Sequence, residues 1–595
     1  MRFIPKLTRN HYWIYFNYSR NKCHFRNFHS FASLFPPFIP IYNRSLEFAN
    51  RLAVVDHYGQ YNYGEIFKHS KALTEKLLNV LTNQNEVQKR ISFLCQNDVS
   101  YIIAQWACWM SGHVAVPLSN VDPTPRLQYY IENSETSVIV TTEEFVEKLN
   151  PISEDLSLPM LLMTHPRKSG DQFEEIPELK NNLNYVKKEY KKIMDKNAMI
   201  LYTSGTTGSP KGVVLTHKNL HCSMNTLIDA WEWKKTDVIL HTLPLHHTHG
   251  IVNALMCPLY VGACCVMLPK FNKTEVWDYL LNTLNKIPRI NIFMAVPTIY
   301  AKLIEEFDEQ FPKNKYFSHS REYIKAVCKK DIREMKKDVT SMTIIQEKAR
   351  EIFEELKKQT PNSSDEEIEF KATTGWFSKF RRRTGIKHVV IHDFVGTPLK
   401  GVKVRIVKDN PSSKVGYDVI VEGDYKKTNI IKNPGDEIGE LQVMSGSVFK
   451  EYWNKPDETK KTFTSDGWFK TGDTSVYKDG AYRILGRTSV DIIKSGGYKI
   501  SALDIENHLL THPNIKECAV LGLPDITWGE KVAAVLVTEN GEEISIYDLK
   551  EWCKDKLPSY LIPSEVRCMP EIQRNAMGKI NKKDLIRIIF PKVLN

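Results

Sequence analysis

The stretch that decides the fold runs from Met199 to Leu215 and reads Met-Ile-Leu-Tyr-Thr-Ser-Gly-Thr-Thr-Gly-Ser-Pro-Lys-Gly-Val-Val-Leu. Two apolar runs typical of β-strands flank a turn that contains glycines, hydroxyl side chains and one lysine. Glycines let the backbone approach an anion, free N–H and hydroxyl groups donate to phosphate oxygens, and Lys211 adds a positive charge. The stretch therefore predicts a phosphate-binding loop, with an ordinary polar hairpin as the alternative. The pattern G-x-x-x-x-G-K-[ST] is absent, which argues against a P-loop nucleotidase.

Around this stretch, short apolar runs alternate with amphipathic segments. Examples are the runs Ile91–Leu94 and Val114–Pro117, with the helical segment Ile102–Met110 between them. Strands that alternate with helices indicate an α/β architecture with a substantial parallel sheet. Near residue 485 the pattern changes to that of a small α+β domain. We therefore expect a large domain at 46–485 and a small C-terminal domain at 486–595.

The net charge of +11, from 81 Lys plus Arg against 70 Asp plus Glu, is unevenly distributed. Residues 1–46 carry seven cations and no acid, which leaves a net charge of +4 for the rest. No run reaches the ~18 apolar residues of a membrane helix, so we expect no membrane span. The 11 cysteines are scattered without C-x-x-C pairs, which is typical of a reducing interior.

The N-terminal segment 1–45 is basic, rich in aromatic residues, Ser and Asn, and free of acids. This composition is typical of a mitochondrial presequence, and no apolar core of a secretory signal is present. The segment predicts a mitochondrial matrix protein. The alternative is a disordered basic tail.

Tyr202–Lys211 resembles the phosphate-binding signature of the AMP-forming acyl-CoA synthetases, the adenylating superfamily. The resemblance implies the adenylating-enzyme fold, a large N-terminal domain of mixed sheets and helices with a small mobile C-terminal domain. Further motifs follow in the family's order, and they are Trp468–Asp473, Tyr482–Arg487, Lys494–Ile500 and Asn575–Ile580.

The resemblance also implies a reaction and a set of site residues. ATP activates a carboxylate as an acyl-adenylate, pyrophosphate leaves, and coenzyme A then displaces AMP, with magnesium helping to neutralise the phosphates. Lys579 and Lys211 would stabilise the charge that grows on the α-phosphate and the leaving oxygens. No side chains are assigned to a resident metal ion. The residues implied in ATP and AMP binding are Thr203, Ser204, Gly205, Thr206, Thr207, Gly208, Lys211, Asp473 and Arg487. Those implied in coenzyme A binding are Lys494, Gly496 and Gly497.

Four histidines lie within nine residues of the segment His241–Ile251. Their Leu-Pro-Leu-His-His-x-His-Gly string, together with Met294–Tyr300, resembles the malonyl-CoA synthetase branch of the family. This implies that His247, His249 and Arg333 bind a short dicarboxylate, either malonate or methylmalonate, because cationic and hydrogen-bonding groups suit a second carboxylate. A zinc site and a purely structural histidine cluster are the alternatives.

The resemblance is interrupted between Arg333 and Val395. The family's Tyr-Gly-Met-Thr-Glu string, which contacts adenine and helps to hold magnesium, does not occur in this chain. Residues 336–394 differ from the family. Within them, FKATTGWFSKFRRRTGI at 370–386 resembles the helix–turn–helix of centromere protein B and Tigger-type transposases, and its interleaved aromatics and cations suit DNA phosphates. A solvated basic helix is the alternative.

Three hypotheses follow from this mixture of motifs. The first is an active dicarboxylate–CoA ligase. The second is a catalytically impaired chimera, from a transposon-derived exon or a gene-model error, that keeps a partial DNA-binding unit. The third is a DNA-binding protein. We expect small-molecule substrates and no nucleic-acid partner despite the basic cluster at 371–387, because only about half of that DNA-binding unit is present.

Overall fold

The computed structural model divides into two compact units. The first unit holds the described residues up to 306 together with Ser445–Lys461, and the second holds those from 394 to 444 and from 462 to 591. The predicted domain boundaries at 45 and 485 stay predictions. The structure describes residues 2–3, 34–81, 88–169, 190, 192–203, 210–281, 288–296, 299, 302–303, 306, 394–413, 415–431, 438–478, 480–496, 498–554, 556–574 and 580–591.

The first unit contains a seven-stranded sheet. Five neighbouring strands run parallel, and the edge that carries the Met199–Leu215 stretch is antiparallel. Parallel strands are buried on both faces, which explains the continuous apolar runs in the sequence. In spatial order the strands are Glu451–Tyr452 (β18), Lys211–Thr216 (β9), Asn197–Thr203 (β8), Val114–Pro117 (β5), Arg90–Leu94 (β4), Thr136–Thr141 (β6) and Met160–Leu162 (β7).

A second sheet of the same unit has six strands, parallel except for its last pair. The strand Val238–His241 ends at the first residue of the histidine segment, so that segment begins at the carboxyl edge of the sheet. In spatial order the strands are Arg2–Phe3 (β1), Ile292–Phe293 (β12), Val238–His241 (β10), Cys264–Met267 (β11), Leu52–Val55 (β2) and Gln60–Asn62 (β3).

The helices of the first unit follow the sequence's capping and hydrophobicity patterns. Tyr63–Val80 (α2) begins at a capping box in which Asn62 and Glu65 each accept a backbone N–H of the other. Val99–Met110 (α3) is apolar around most of its circumference and is almost wholly buried. The other helices are Ile41–Arg44 (α1), Thr124–Asn133 (α4), Val146–Asp155 (α5), Pro166–Ser169 (α6), His217–Trp231 (α7), Cys257–Val261 (α8), Lys273–Leu281 (α9) and Pro456–Thr462 (α10), with a π-helix at His249–Met256.

The second unit contains two sheets. The first has seven strands, which pair mainly antiparallel. Its spatial order is Phe394–Gly396 (β13), Ala481–Arg487 (β20), Phe469–Lys478 (β19), Gly439–Ser445 (β17), Val402–Asp409 (β14), Tyr417–Asp424 (β15) and Thr428–Ile430 (β16). The second sheet has the order Tyr498–Ser501 (β22), Ile492–Ser495 (β21), Gly529–Thr538 (β24) and Ile515–Asp525 (β23), with Glu565–Cys568 (β25) on β24.

Helices cover the smaller sheet of the second unit. They are Ala502–Leu509 (α11), Ile546–Cys553 (α12) and Lys582–Ile589 (α13). Strands β23 and β24 alternate their side chains between two cores, one around Leu536 and Ile505 and the other around Val535 and Leu585. Across the described residues, no helix has both the length and the hydropathy needed to cross a bilayer.

Candidate functional site

The phosphate-loop prediction falls on an antiparallel hairpin of the first unit. Thr203 at the end of β8 pairs with Lys211 at the start of β9, so the chain leaves and re-enters the sheet at one point. Tyr202 anchors this edge, because its hydroxyl donates to Asn133 Oδ1 at 2.9 Å and its ring stacks on Tyr130 at 4.3 Å. Ser204, Gly205, Thr206, Thr207 and Gly208 lie outside the described residues.

Gly212 lets a third strand approach the hairpin closely. A Cβ at this position would lie 2.9 Å from Ile200 Cγ2 and 3.4 Å from Trp453 Cβ. The carbonyl of Gly212 accepts the N–H of Trp453 at 2.7 Å, which continues the pairing of β18 with β9. The glycine after Lys211 is therefore required by packing within the sheet.

Lys211 is held by an ion pair that the sequence did not predict. Its Nζ lies 2.5 Å from Glu458 Oε2 and 5.3 Å from the centre of the Tyr452 ring. Glu458 belongs to the first turn of α10, and its hydrogen bond with Lys211 lowers the pKa of the carboxyl below its usual range. Both side chains are partly exposed. Solvent screens such a pair, so an incoming phosphate can replace the carboxylate at little cost.

In the second unit, Asp473 and Arg487 face each other across strands β19 and β20. Arg487 Nε lies 2.9 Å from Asp473 Oδ1, and Arg487 Nη1 donates to the carbonyl of Thr471 at 2.6 Å. Asp473 is only 8% exposed. This burial raises the pKa of Asp473 to about 6, against the opposing effect of Arg487. The structure thus brings together two of the residues that the resemblance implies in ATP and AMP binding.

The backbone around this pair is fixed by local hydrogen bonds. Thr471 Oγ1 donates to the carbonyl of Leu441 at 2.7 Å and accepts the N–H of Asp473 at 3.0 Å. Gly472 adopts a left-handed conformation with φ of 71°, which explains a glycine before the aspartate. Asp473 is therefore presented from a rigid strand rather than from a loop.

Lys494 and Gly496 lie on the hairpin of β21 and β22. Gly496 has φ of 56°, its N–H donates to the carbonyl of Trp528 at 2.9 Å, and a Cβ would lie 2.9 Å from the Trp528 ring. Contact with Trp528 is thus sufficient to require this glycine. Lys494 is exposed, and its N–H donates to Glu530 Oε2 at 2.6 Å. Gly497 and the predicted catalytic Lys579 lie outside the described residues.

Exposed aromatic side chains surround this hairpin and were missed by the sequence reasoning. Tyr498 and Trp528 are 56% and 58% exposed, and Tyr498 stacks on Tyr560 with ring centres 4.6 Å apart. The signal for Tyr498 in the sequence is its position immediately after Gly496 and Gly497. They provide flat apolar faces beside the residues implied in coenzyme A binding.

The histidine segment divides into a buried part and a more accessible part. His241 is fully buried, with Nε2 3.0 Å from the carbonyl of Gly250 and Nδ1 3.3 Å from Asn97 Nδ2. Burial lowers the pKa of His241 to about 4, so this histidine is a neutral structural residue. His247 and His249 are only half-buried, and His249 begins the π-helix.

The zinc alternative for this segment is not supported in the described part of the chain. There, none of the four histidines belongs to a group of three His, Cys, Asp or Glu side chains close enough to share an ion. Burial instead lowers the pKa of His246 to about 4, and its ring packs 4.0 Å from that of His247. Arg333, the third residue predicted to bind substrate, lies outside the described residues.

The order of motifs, the hairpin of β8 and β9 and the Asp473–Arg487 pair are typical of a nucleotide-binding enzyme. The family model of the AMP-binding enzymes matches residues 42–453, and the model of the AMP-binding enzyme C-terminal domain matches residues 504–579. The chain belongs to the family of AMP-binding enzymes. The predicted adenylating superfamily is therefore confirmed.

Several relatives match nearly the whole length of this chain. Human mitochondrial malonate–CoA ligase ACSF3 is 44% identical over 557 residues, which are 93% of this chain and 92% of that protein. The malonate–CoA ligase of Arabidopsis thaliana is 32% identical over 595 residues, covering 93% and 89%. Among solved structures, ATP-bound MatB from Rhodopseudomonas palustris has a TM-score of 0.64 at 22% identity, covering 95% of this chain and 99% of that one. This likeness confirms the predicted fold class.

Proposed function

We propose that this chain is an ATP-dependent, AMP-forming ligase that joins malonate to coenzyme A through an acyl-adenylate. The observation that carries the proposal is the 44% identity over 557 residues to the human malonate–CoA ligase. Methylmalonate, one carbon larger, is a second candidate substrate. His247 and His249 suit a dicarboxylate better than a long-chain acid, which requires an apolar tunnel.

The first unit supplies the charge that adenylation needs. When ATP enters, Lys211 exchanges the Glu458 carboxylate for phosphate oxygens and stabilises the negative charge that develops as pyrophosphate leaves. The hydroxyl of Thr203 and the backbone N–H groups of 204–208 donate to the same oxygens. Lys579 is assigned the corresponding role at the α-phosphate and the attacking carboxylate.

The second unit supplies the nucleoside contacts. Asp473 is ionised above its pKa of about 6 and then accepts hydrogen bonds from the ribose hydroxyls. Arg487 holds that carboxylate at 2.9 Å and reaches the same ribose. Lys494 and the glycines at 496 and 497 are assigned to coenzyme A, and His247, His249 and Arg333 to the acid.

Magnesium enters this proposal only as part of the MgATP substrate. The family's glutamate for this ion belongs to the Tyr-Gly-Met-Thr-Glu string, which this chain lacks. Glu458, the carboxylate that the structure places at the phosphate hairpin, is engaged with Lys211. The missing string and the engaged Glu458 therefore do not fit a magnesium site held by the protein at this hairpin, and no step is assigned to one.

The location proposed for the enzyme is the mitochondrial matrix. The segment 1–45 has the composition of a presequence, and the vertebrate relatives are described as mitochondrial. Import of a fusion of residues 1–45 to a fluorescent protein, followed by protease protection in mitoplasts, tests this. Fluorescence that stays in the cytosol would contradict it.

The impaired-chimera alternative concerns residues 336–394, all of which except Phe394 lie outside the described residues. The helix–turn–helix interpretation of that segment stays a prediction. The near-full-length similarity to ligases does not favour the impaired chimera. An assay of the purified chain decides between an active ligase and an impaired chimera. It measures malonate-dependent pyrophosphate release and the formation of malonyl-CoA. Lys211→Ala should abolish turnover, and the exposed Lys235→Ala should not. A folded wild-type protein without turnover would refute the ligase.

A further inference from the structure

Three charged side chains from separate elements meet in the interior of the second unit. Lys582, the first residue of α13, places its Nζ 2.7 Å from Asp491 Oδ1 and 2.8 Å from Glu506 Oε1. The three side chains are only 10%, 7% and 8% exposed. We call this group the Lys582 cluster.

Both carboxylates of the Lys582 cluster also hold a backbone N–H. Asp491 Oδ2 accepts the N–H of Arg487 at 3.1 Å, and Glu506 Oε1 accepts the N–H of Val520 at 2.9 Å. The first of these bonds holds the backbone of Arg487, whose guanidinium pairs with Asp473. A continuous chain of contacts thus connects Lys582 to the pair assigned to ribose.

The turn between Arg487 and Asp491 is tightly packed as well. A Cβ on Gly486 would lie 2.5 Å from Asp491 Cβ, and the N–H of Asp491 donates to the carbonyl of Arg487 at 2.8 Å. A small displacement of the Asp491 side chain must therefore move the backbone of Arg487. A rigid turn of this kind transmits the position of one residue to the other.

Stability alone does not account for a buried cation at this position. Buried ion pairs stabilise a fold little relative to apolar side chains of similar size, because desolvation offsets their attraction. Burial alone would lower the pKa of Lys582, but Glu506 and Asp491 raise it above its usual value, so the lysine stays charged. The ion pairs fix directions and distances that apolar contacts would not.

We propose that Lys582 is a positioning residue for nucleotide binding, which acts through Asp491 to hold Arg487 beside Asp473. The inference rests on the proposed function, since it takes Arg487 and Asp473 as nucleotide contacts. Without the cation, two carboxylates that share a single Nζ repel each other. Asp491 then moves away from Glu506, and the N–H of Arg487 loses its acceptor.

The test is isothermal titration of the purified full chain with AMP alone, which requires neither acid nor coenzyme A. Lys582→Met should weaken AMP binding about tenfold, the effect of one lost hydrogen bond to a charged group. Lys582→Arg should restore it, because a guanidinium can bridge two carboxylates. Lys583→Met, on the exposed neighbour, is the matched control and should bind AMP as the wild type does.

A second pair of variants separates positioning from stability. Asp491→Ala and Glu506→Ala each remove one partner of Lys582 and one backbone hydrogen bond, but only Asp491 contacts Arg487. Asp491→Ala should weaken AMP binding and raise the KM for ATP more than it lowers kcat, whereas Glu506→Ala should affect thermal stability alone. Equal AMP affinities of the two variants, or an unchanged Lys582→Met, would overturn the inference. A wild type that fails to bind AMP would overturn the proposed function as well.

Discussion

Replacing Asp473 by asparagine should change the stability of the fold and the affinity for AMP in opposite directions. Burial raises the pKa of this carboxyl from its ordinary value to about 6, although Arg487 lies 2.9 Å away. Since an unfolded aspartate ionises near pH 3.9, ionisation at neutral pH costs the folded state about 3 kcal/mol. Asp473→Asn removes that charge with little change of shape. The variant should therefore be more stable than the wild type at about pH 8, by at most about 3 kcal/mol.

The pH dependence follows from the sign of the shift. As the pH falls from about 6 to about 4, folded Asp473 takes up a proton that the unfolded chain does not yet bind, so this group's contribution to stability rises. Over the same interval AMP binding should weaken, because a protonated carboxyl no longer accepts two ribose hydroxyls. Asp473→Asn should bind AMP at least about tenfold more weakly at pH 8 and show no titration near 6.

Urea unfolding and AMP titration at several pH values measure both effects. Asp466→Asn is the matched control, since that aspartate lies 2.8 Å from Arg405. Burial alone would raise the pKa of Asp466, but hydrogen bonds from Arg405 and its neighbours lower it overall. Removing that charge should therefore destabilise the protein at neutral pH. If Asp473→Asn is instead less stable than the wild type at pH 8, the argument from burial is wrong.

Three further substitutions test the packing and the charges of the first unit. Gly212→Ala should destabilise the chain by about 1–3 kcal/mol in urea, because the new Cβ would lie 2.9 Å from Ile200 Cγ2. Glu458→Gln should leave stability nearly unchanged in urea and lower the KM for ATP at low salt, because Lys211 loses a competing carboxylate; an unchanged KM would contradict this. His241→Leu leaves the carbonyl of Gly250 and the amide of Asn97 without this partner. It should lower the free energy of unfolding by about 1–3 kcal/mol for each of them, as measured by thermal unfolding.

The sequence predicts the fold well where local pattern and packing agree. The apolar runs on either side of the glycine-rich turn are the strands Asn197–Thr203 and Lys211–Thr216. The parallel order of β4, β5 and β6 follows from their continuous apolar composition, which requires burial on both faces. Near the C-terminus, the predicted α+β pattern includes the helix Ala502–Leu509, which begins where the side chain of Ser501 accepts the N–H of Asp504.

The site is less predictable, because its contacts join residues that are distant in the chain. Nothing near Lys211 indicates a partner at Glu458, 247 positions later. The residue types of the histidine segment do not show which histidines are structural. Burial decides this, because His241 is fully buried and His247 is only half-buried. Residue type thus indicates the chemistry of a position, and only tertiary packing indicates which charges compensate one another.

Two of the lysine ion-pair sites in the described part of the chain, at Lys211 and at Lys582, differ in a way that matches their proposed tasks. Lys211 and Glu458 are 30% and 42% exposed, so water screens their attraction and either partner can be exchanged at little cost. Lys582 and its partners are at most 10% exposed, and removing one of them leaves a buried charge uncompensated. An exchangeable pair is suited to a phosphate loop, where the ligand must replace a carboxylate. A pair that cannot be exchanged is suited to the turn behind Arg487, where the backbone must keep one position as the nucleotide binds and leaves.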